Sequence, residues 1–276
     1  MLIAPMQGAL GADVTDVDVT ALDAAGLREL RDALLRFHVV AIRGQRLDPA
    51  ALSAFAARLG ERETYPFAQS LPEDPYVVPI VKEPEDASVF GGIWHTDSSY
   101  LTRPPSLTLL YAVTIPPSGG DTLFANMHAA YRALPDSTRT AIDGLRAQYT
   151  ASLVHSDDGE QADVAGANRN RREAGATVTD AVHPVVRTHP DSGAKALYVS
   201  LAHTRCFVGR TREQSLPLLT ELAEHAIRDE FCTRLRWRAG TLAIWDNRSV
   251  QHYPLNDYPG HRRVMHRVIL KGEVPA

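Results

Sequence analysis

The chain has 276 residues, of which 44% are hydrophobic and 22% are charged, and its formal net charge is −4. This composition is typical of a globular protein with a sizeable core, and it excludes a wholly disordered or fibrous chain. The acidic balance and the lack of a long Lys/Arg run argue against nucleic acid as a partner. The sequence contains no run of about 18 apolar residues, so no membrane span is predicted.

The first predicted elements are a helix, a short buried strand and a second helix, in that order. Leucines at helical spacing predict the first helix: Leu22, Leu27, Leu30, Leu34 and Leu35. The apolar run 39–42, closed by Gly44, predicts the strand. Asp48 predicts the N-cap of a second helix that runs to Gly60.

Short runs of strand character dominate from residue 76 onward. Apolar and alternating runs separated by Pro or Gly predict strands at 77–81, 93–97, 106–115 and 122–125. A helix is predicted over 127–145 and a further strand over 148–155. The segment 157–180 is rich in Asp, Gly, Asn and Arg and poor in large apolar residues, which predicts a mobile lid loop.

The last third of the chain is predicted to contain a hairpin, one amphipathic helix and three strands. In the hairpin, strands at 183–186 and 196–200 flank the turn signal Asp191-Ser192-Gly193. The helix is predicted over 212–231, and the strands are predicted at 235–237, 241–245 and 263–270. Because no repeat or linker divides the chain, residues 1–276 are predicted to form a single domain of the α+β class, mainly β with flanking helices.

A candidate metal site begins at Trp94-His95-Thr96-Asp97. The strand period of two places His95 and Asp97 on one face, and His252, predicted at a strand end, is the candidate third ligand. Two imidazoles and one carboxylate cover one face of an octahedral iron(II) ion and leave three positions open for O2 and a chelating co-substrate. His-x-Asp by itself is a weak signal, because such pairs also occur by chance on protein surfaces.

Two arginines near the end of the chain predict an anion-binding face. Strand alternation directs Arg263, Met265 and Arg267 to one side. A buried guanidinium without an anionic partner is costly, and its planar fork matches a carboxylate. The alternative interpretation is that one arginine pairs with an acid of the protein while the other is solvated.

The other histidines are expected to have hydrogen-bonding or surface roles: His38, His128, His155, His183, His189, His225, His261 and His266. The chain has no nucleophile elbow, phosphate-binding loop, zinc-protease motif or dinucleotide-binding glycine motif. Hydrolase, nucleotide-binding and dehydrogenase functions therefore lack their usual signatures.

Five motifs occur in order along the chain: WHTD at 94–97, GGDT at 119–122, HPVVRTHP at 183–190, WDNR at 245–248 and RRVMHR at 262–267. Together they resemble the family of taurine dioxygenase, alkylsulfatase and phenoxyalkanoate dioxygenases, over nearly the whole chain. The resemblance implies a double-stranded β-helix (jelly-roll) core, Fe(II) and O2, and 2-oxoglutarate as co-substrate. It also implies that Arg263 and Thr122 bind the distal carboxylate of 2-oxoglutarate, and that Arg267 binds an anionic group of the substrate.

The chain departs from the family at positions that contact the substrate. Relative to taurine dioxygenase, Phe67 replaces a His and Gly91 replaces an Asn, and both lost groups contact the polar ends of taurine. His203 stands in a rebuilt stretch where the family often has a bulky aromatic residue. Phe67, Gly91 and His203 are therefore candidate substrate-binding residues, although Phe67 and His203 are equally compatible with ordinary packing.

The expected function is hydroxylation of a small anionic molecule, with release of succinate and CO2. A sulfonate, a sulfate ester, an aryloxyalkanoate or an amino-acid-like metabolite fits as substrate. Three alternatives remain open: a biosynthetic desaturase or cyclase on the same iron centre, a non-catalytic protein that binds a metal or 2-oxoglutarate, and a zinc hydrolase.

Location and assembly are expectations only. The first 20 residues lack the basic and apolar regions of a signal peptide, and the two cysteines, Cys206 and Cys232, have no disulfide or zinc spacing. A cytoplasmic location is therefore expected. The family resemblance adds the expectation of a homo-oligomer, either a dimer or a tetramer.

Overall fold

The computed structural model describes residues 1–156, 160 and 179–276. The predicted lid loop at 157–180 lies outside the described residues, apart from positions 160, 179 and 180. Within the described ranges, no helix is long and apolar enough to cross a membrane.

The described residues form six α-helices: α1 (Ala24–Phe37), α2 (Pro49–Leu59), α3 (Met127–Ala133), α4 (Asp136–Ile142), α5 (Ser152–His155) and α6 (Arg212–Ala226). The predicted cap of α2 is confirmed, because the carboxylate of Asp48 accepts a hydrogen bond from the backbone N–H of Ala51 at 2.7 Å. In α1 the predicted leucine stripe buries Leu30 and Leu34, whereas Leu35 is 37% exposed and lies outside the stripe.

The strands in the described ranges are β1 (Leu2–Pro5), β2 (Ala12–Thr15), β3 (Val39–Ile42), β4 (Arg62–Glu63), β5 (Val78–Lys82), β6 (Leu107–Thr114), β7 (Thr122–Asn126), β8 (Arg146–Thr150), β9 (Asp180–Pro184), β10 (Val186–Thr188), β11 (Lys195–Leu197), β12 (Thr204–Phe207), β13 (Cys232–Leu235), β14 (Leu242–Asp246), β15 (Val250–Pro254) and β16 (Arg263–Leu270). The protein is thus rich in β-sheet with flanking helices, as predicted.

The largest sheet has eight strands in the order β1-β2-β3-β14-β6-β16-β4, and β5 also pairs with β16. Side chains alternate between its faces, as they must in a strand. One face, which includes Ile42 and Leu109, packs against Leu34 of α1 and Phe55 of α2. This packing covers one side of the sheet with helices.

The opposite face of the large sheet packs against a second sheet, of three strands in the order β13-β7-β15. Leu110 and Met265 of the large sheet share one apolar cluster with Phe124 and Val250 of the small sheet. The two sheets therefore face each other. The candidate site residues on β7, β15 and β16 project from strands on both sides of this layer.

Three predicted elements differ from the structure in type or are divided. Residues 93–97 form no strand, and only an isolated bridge joins His95 to His252. The predicted helix 127–145 is divided into α3 and α4 because Leu134, which precedes Pro135, is extended, as residues before proline prefer. The predicted strand 148–155 ends at Thr150, whose hydroxyl accepts from the N–H of Ser152 and starts α5.

The predicted hairpin is present with shifted bounds. β10 pairs with β11, whereas β9 pairs with β8. The helix predicted to reach residue 231 ends at Ala226 and is followed by the 3-10 turn Asp229–Phe231. The strand predicted at 235–237 has the wrong bounds, because the structure has β13 at Cys232–Leu235 instead. The last strand has the predicted bounds.

Candidate active site

Two histidines and one aspartate converge beside the layer between the sheets. Each of His95, Asp97 and His252 offers a potential ligand atom, and these atoms all lie within 4.8 Å of one another. Nε2 of His95 lies 3.7 Å from Oδ1 of Asp97, and Nε2 of His252 lies 3.9 Å from the same oxygen. In the described residues, these three side chains form the one group of His, Cys, Asp or Glu that is arranged to hold a metal ion.

The two histidines are held together by their backbones. The N–H of His95 donates to the carbonyl of His252 at 3.1 Å, and the N–H of His252 donates back at 2.9 Å. Nδ1 of His95 lies 2.6 Å from the carbonyl of Ile93, so this nitrogen carries the proton and Nε2 presents its lone pair. The prediction that His252 lies at a strand end is wrong, because it lies in the middle of β15.

A chain of buried hydrogen bonds orients Asp97. Thr108 donates to Oδ2 of Asp97 at 2.6 Å, Asn247 donates to the Thr108 hydroxyl at 2.8 Å, and Trp245 donates to the Asn247 side chain at 3.0 Å. Oδ2 is thereby engaged, and Oδ1 faces the histidines. Thr108 and Asn247 were missed from the sequence, although the WDNR motif that contains Asn247 was recognised.

Neighbouring charges favour the ionised form of Asp97, and burial favours the neutral form of His252. Burial alone would raise the pKa of Asp97, but His252, His95 and Arg267 outweigh it and hold the pKa well below the usual range. Burial, followed by the nearby His95, lowers the pKa of His252 to about 3. A carboxylate and a neutral imidazole are the forms that bind metal.

Arg263 and Arg267 line the same pocket as the three candidate ligands, together with Thr122. Nε and Nη2 of both arginines are buried and make no hydrogen bond. Arg267 also approaches Asp97, with 3.6 Å between Nη1 and Oδ1, whereas Arg263 has no ion pair among the described residues. Both arginines therefore line one pocket, as strand alternation predicted, and Nε and Nη2 of each have no hydrogen-bond partner among the described residues.

The hydroxyl of Thr122 is prepared to donate toward this pocket. The indole N–H of Trp237 donates to Oγ1 of Thr122 at 3.0 Å. Because Oγ1 already accepts this bond, its own proton is available for another acceptor. Trp237 also lies under Arg263, with 5.7 Å between Cζ and the ring centroid. No sequence motif indicated this role of Trp237.

A second pocket shares five lining residues with the first: Phe90, Gly91, His95, Asp97 and Arg267. Its remaining lining is largely aromatic or apolar: Tyr65, Ile93, Ser98, Tyr100, Val154, His155 and His203. Arg267 lies over the ring of Tyr65, with 4.1 Å between Cζ and the centroid. The guanidinium of Arg267 therefore lies at one edge of a pocket that is lined mainly by aromatic side chains.

The three predicted substrate residues have different positions relative to this pocket. Gly91 has φ +76°, and a Cβ there would lie 3.1 Å from Cε1 of His95, so only glycine leaves the space open. Phe67 stacks on His155 at 4.2 Å between centroids and supports the pocket wall from behind. His203 lines the pocket directly.

His203 is a neutral wall residue. Its Nδ1 lies 3.0 Å from the hydroxyl of Ser99, and burial holds its pKa well below the usual range. The side chain therefore offers no positive charge to a substrate. It also holds the segment that carries the candidate ligands, because Ser99 follows Asp97 by two positions.

Four of the eight other histidines have the hydrogen-bonding roles expected. His128, His183, His189 and His225 are hydrogen-bonded within the fold. His155 differs, because it lines the second pocket. No motif around His155 indicated this role.

Comparisons with known proteins point to the same family over nearly the whole chain. Residues 2–269 match the family model described as taurine catabolism dioxygenase TauD, TfdA family. The chain is 37% identical over 277 residues to an alpha-ketoglutarate-dependent sulfate ester dioxygenase of Pseudomonas putida, covering 98% of this chain and 89% of that protein. It is 33% identical over 265 residues to an alpha-ketoglutarate-dependent 2,4-dichlorophenoxyacetate dioxygenase of Cupriavidus pinatubonensis, covering 90% of each.

The fold has similar solved structures. A taurine dioxygenase from Burkholderia xenovorans is 34% identical with a TM-score of 0.82, and the match covers 100% of this chain and 90% of that one.

Proposed function

Because the chain belongs to the TauD/TfdA family of dioxygenases, we propose that it oxidises a small anionic substrate at an iron(II) ion held by His95, Asp97 and His252. It is a 2-oxoglutarate-dependent, non-haem iron dioxygenase, with Fe(II), 2-oxoglutarate and O2 as cofactors and co-substrates. One observation carries the residue assignment: the three candidate ligands share a pocket with two buried arginines whose Nε and Nη2 atoms make no hydrogen bond.

The donor set fits iron. Two neutral imidazoles and one carboxylate are the facial set of non-haem iron(II) oxygenases. The hydrogen bond of His95 to Ile93 leaves Nε2 free to bind, and the hydrogen bond from Thr108 to Asp97 leaves Oδ1 free. Once bound, the iron supplies O2 activation coupled to oxidative decarboxylation of 2-oxoglutarate, which gives succinate and CO2.

Arg263 and Thr122 fit the distal carboxylate of 2-oxoglutarate. The guanidinium presents Nε and Nη2, both buried and unpartnered, in the fork that matches a carboxylate. Thr122 adds one hydroxyl donor, oriented by Trp237. Fixing the distal end of the co-substrate sets where its chelating end lies, which is how a protein directs this chemistry.

Arg267 and the aromatic pocket indicate the substrate class. Among the described residues that line this pocket, Asp97 is the only acid, and it is committed to the metal site. An ammonium group would therefore lack an acceptor, whereas an anionic head would meet Arg267. We infer a monoanion with an aromatic or apolar body, such as a sulfate ester or an aryloxyalkanoate, in preference to taurine or an amino acid.

Hydroxylation of such a substrate leads to bond cleavage. Insertion of one oxygen atom into the C–H bond beside the ester or ether oxygen gives a hemiacetal-type carbon. That carbon collapses to a carbonyl and releases sulfate or a phenol. The aromatic walls hold the apolar body, so that this C–H bond faces the metal site and water is excluded.

The finer structural expectations are proposals of the same kind. The two facing sheets support a double-stranded β-helix core, and the apolar cluster shared between the sheets supports a single domain over 1–276. A mobile lid at 157–180, a dimer or tetramer, and a cytoplasmic location remain predictions. The absence of nucleic-acid and membrane partners also remains a prediction.

The test is a turnover assay with two matched variants. The enzyme with Fe(II), O2 and 2-oxoglutarate is offered aryl and alkyl sulfate esters, aryloxyacetates, sulfonates and amino acids, and succinate is measured. Arg267→Met should raise the KM for the prime substrate with little change in that for 2-oxoglutarate, and Arg263→Met should do the reverse. Loss of 2-oxoglutarate affinity alone in both variants would contradict the division of roles.

Product analysis separates the alternatives. An unsaturated or cyclised product would assign the chain to a desaturase or cyclase on the same iron centre. Turnover that needs neither O2 nor 2-oxoglutarate would indicate a zinc hydrolase. Absence of substrate-stimulated succinate formation across the whole panel would favour a non-catalytic binding protein.

A further inference from the structure

Lys82, the last residue of β5, is a buried cation beside Arg263. β5 and β16 are antiparallel, and Arg263 pairs directly with Lys82 in the register. Directly paired residues project to the same side of a sheet. Ile80, two positions before Lys82, lines the same pocket as Arg263, which places Lys82 on the pocket side as well. Its exposed fraction is 4%.

Lys82 shares this position with a buried phenol that is also without a partner. Nζ of Lys82 and the hydroxyl of Tyr258 make no hydrogen bond. Nζ lies 4.8 Å from the centroid of the Tyr258 ring. That ring packs so closely on Gly120 that a Cβ there would lie 3.2 Å from it, and Gly120 is two positions from Thr122. The two groups therefore border the segment that carries the predicted 2-oxoglutarate residues.

The acids near this cluster are engaged elsewhere. Asp121 accepts from Arg234 at 2.7 Å. Asp257 accepts from the N–H of Gly120 at 2.7 Å. Glu83 pairs with Arg262. In the part of the chain that the structure describes, Lys82 and Arg263 thus have no acidic partner. Because burying an unpaired charge is costly, a bound anion from outside the protein would stabilise both side chains.

We propose that Lys82 and Tyr258 complete, with Arg263 and Thr122, the binding site for the distal carboxylate of 2-oxoglutarate. This inference rests on the proposed function. A carboxylate has about four lone-pair positions; the guanidinium fork of Arg263 and the hydroxyl of Thr122 take up three of them, and Lys82 and Tyr258 share the fourth. The second cation makes the site selective for 2-oxo acids with a distal carboxylate over those without one.

The experiment compares two ligands in the Mn(II)-loaded protein, where no turnover occurs. Calorimetry gives the Kd of 2-oxoglutarate and of 2-oxobutyrate, which has the same chelating end but no distal carboxylate. In Lys82→Met the Kd of 2-oxoglutarate should rise about 10- to 100-fold, the range for a hydrogen bond to a charged group, while that of 2-oxobutyrate stays unchanged. Lys195→Met, at an exposed lysine, is the control and should change neither value.

Each outcome is decisive. An equal rise for both ligands would show that Lys82 only supports the structure, and no rise would show that it does not contact the co-substrate; either result overturns the inference. If wild-type protein with Mn(II) fails to bind 2-oxoglutarate at all, the proposed function itself is wrong.

A second variant guards against misfolding. Lys82→Met replaces an unpaired buried charge with an apolar chain of similar length, so the apoprotein should melt at the same or a higher temperature. If this variant does not fold, Tyr258→Phe retains the ring and removes only the hydroxyl. It should raise the Kd of 2-oxoglutarate about 2- to 10-fold, again without affecting 2-oxobutyrate, and an equal effect on both ligands would count against the inference.

Discussion

Replacing Thr108 by Val tests whether the hydrogen-bond chain behind Asp97 tunes the metal site. Thr108 is fully buried, donates to Asp97 Oδ2 at 2.6 Å and accepts from Asn247 at 2.8 Å. Valine has nearly the same shape and can make neither bond. The substitution therefore removes the donor that fixes the carboxylate while leaving every candidate ligand in place.

The magnitude follows from the two bonds lost. A hydrogen bond to a charged group contributes about 1.5–3 kcal/mol, and losing an outer partner of a metal ligand typically costs 10- to 100-fold in metal affinity. The Asn247 amide would also be left buried with one donor unpaired, which should lower the free energy of unfolding by about 1–3 kcal/mol.

The assay is anaerobic titration of the apoprotein with Fe(II), with Mn(II) as a second metal, and urea unfolding in parallel. Thr108→Ser is the matched control, because it retains the hydroxyl and should bind metal nearly as well as wild type. Wild-type metal affinity in Thr108→Val would refute the argument that this chain positions Asp97. A loss in both variants would point to packing and not to the hydrogen bond.

Three further predictions follow. Burial and the neighbouring His128 lower the pKa of His38 to about 4, below its unfolded value. The contribution of neutral His38 to the free energy of unfolding is therefore fully present above pH 6.5 and is lost as the pH falls toward 4. In His38→Asn, where asparagine tolerates the left-handed backbone, the fall in unfolding free energy between pH 6.5 and 4 should be smaller by up to about 3 kcal/mol, and an unchanged pH dependence would contradict the assignment. Trp237→Phe removes the N–H that orients Thr122 and should raise the Kd of 2-oxoglutarate about fivefold in calorimetry, with no change for 2-oxobutyrate. Asp246→Asn disrupts the buried contacts of Asp246 with His189 and Arg248 and should lower the unfolding free energy by about 3–5 kcal/mol in urea titrations; a loss below 1 kcal/mol would show that the network contributes little.

The parts of the fold that were predictable have local causes. Asp48 caps α2 with its own side chain, and β16 is a nearly continuous run of buried residues whose side chains alternate between two covered faces, so neighbouring residues alone specify both elements. The same alternation placed Arg263 and Arg267 in one pocket. These features could be read from short stretches of sequence.

The site was predicted for a partly wrong reason. His95 and Asp97 do converge, but not through strand alternation, because residues 93–97 form no strand and Ser98 has φ +45°. Their placement depends on the backbone bridge to His252, more than 150 residues away, and no local pattern contains that contact.

The supporting residues were missed for the same reason. Thr108 and Lys82 lie on strands and Trp237 follows the end of β13, so all three meet the site only after the sheets form, and each has its partner at a distant position in the sequence. His155 belongs to a segment predicted as strand, and it reaches the pocket because the chain turns into α5 there.

The most direct test of the central claim is the anaerobic visible spectrum of the apoprotein titrated with Fe(II) and then with 2-oxoglutarate, alongside Asp97→Ala. The proposed site predicts a weak charge-transfer band in wild type on addition of 2-oxoglutarate, a shift of that band on addition of a monoanionic aromatic substrate, and no band in the variant. Wild-type protein that binds iron and 2-oxoglutarate without the band, or a variant that retains it, would contradict the assignment of His95, Asp97 and His252 as the iron ligands.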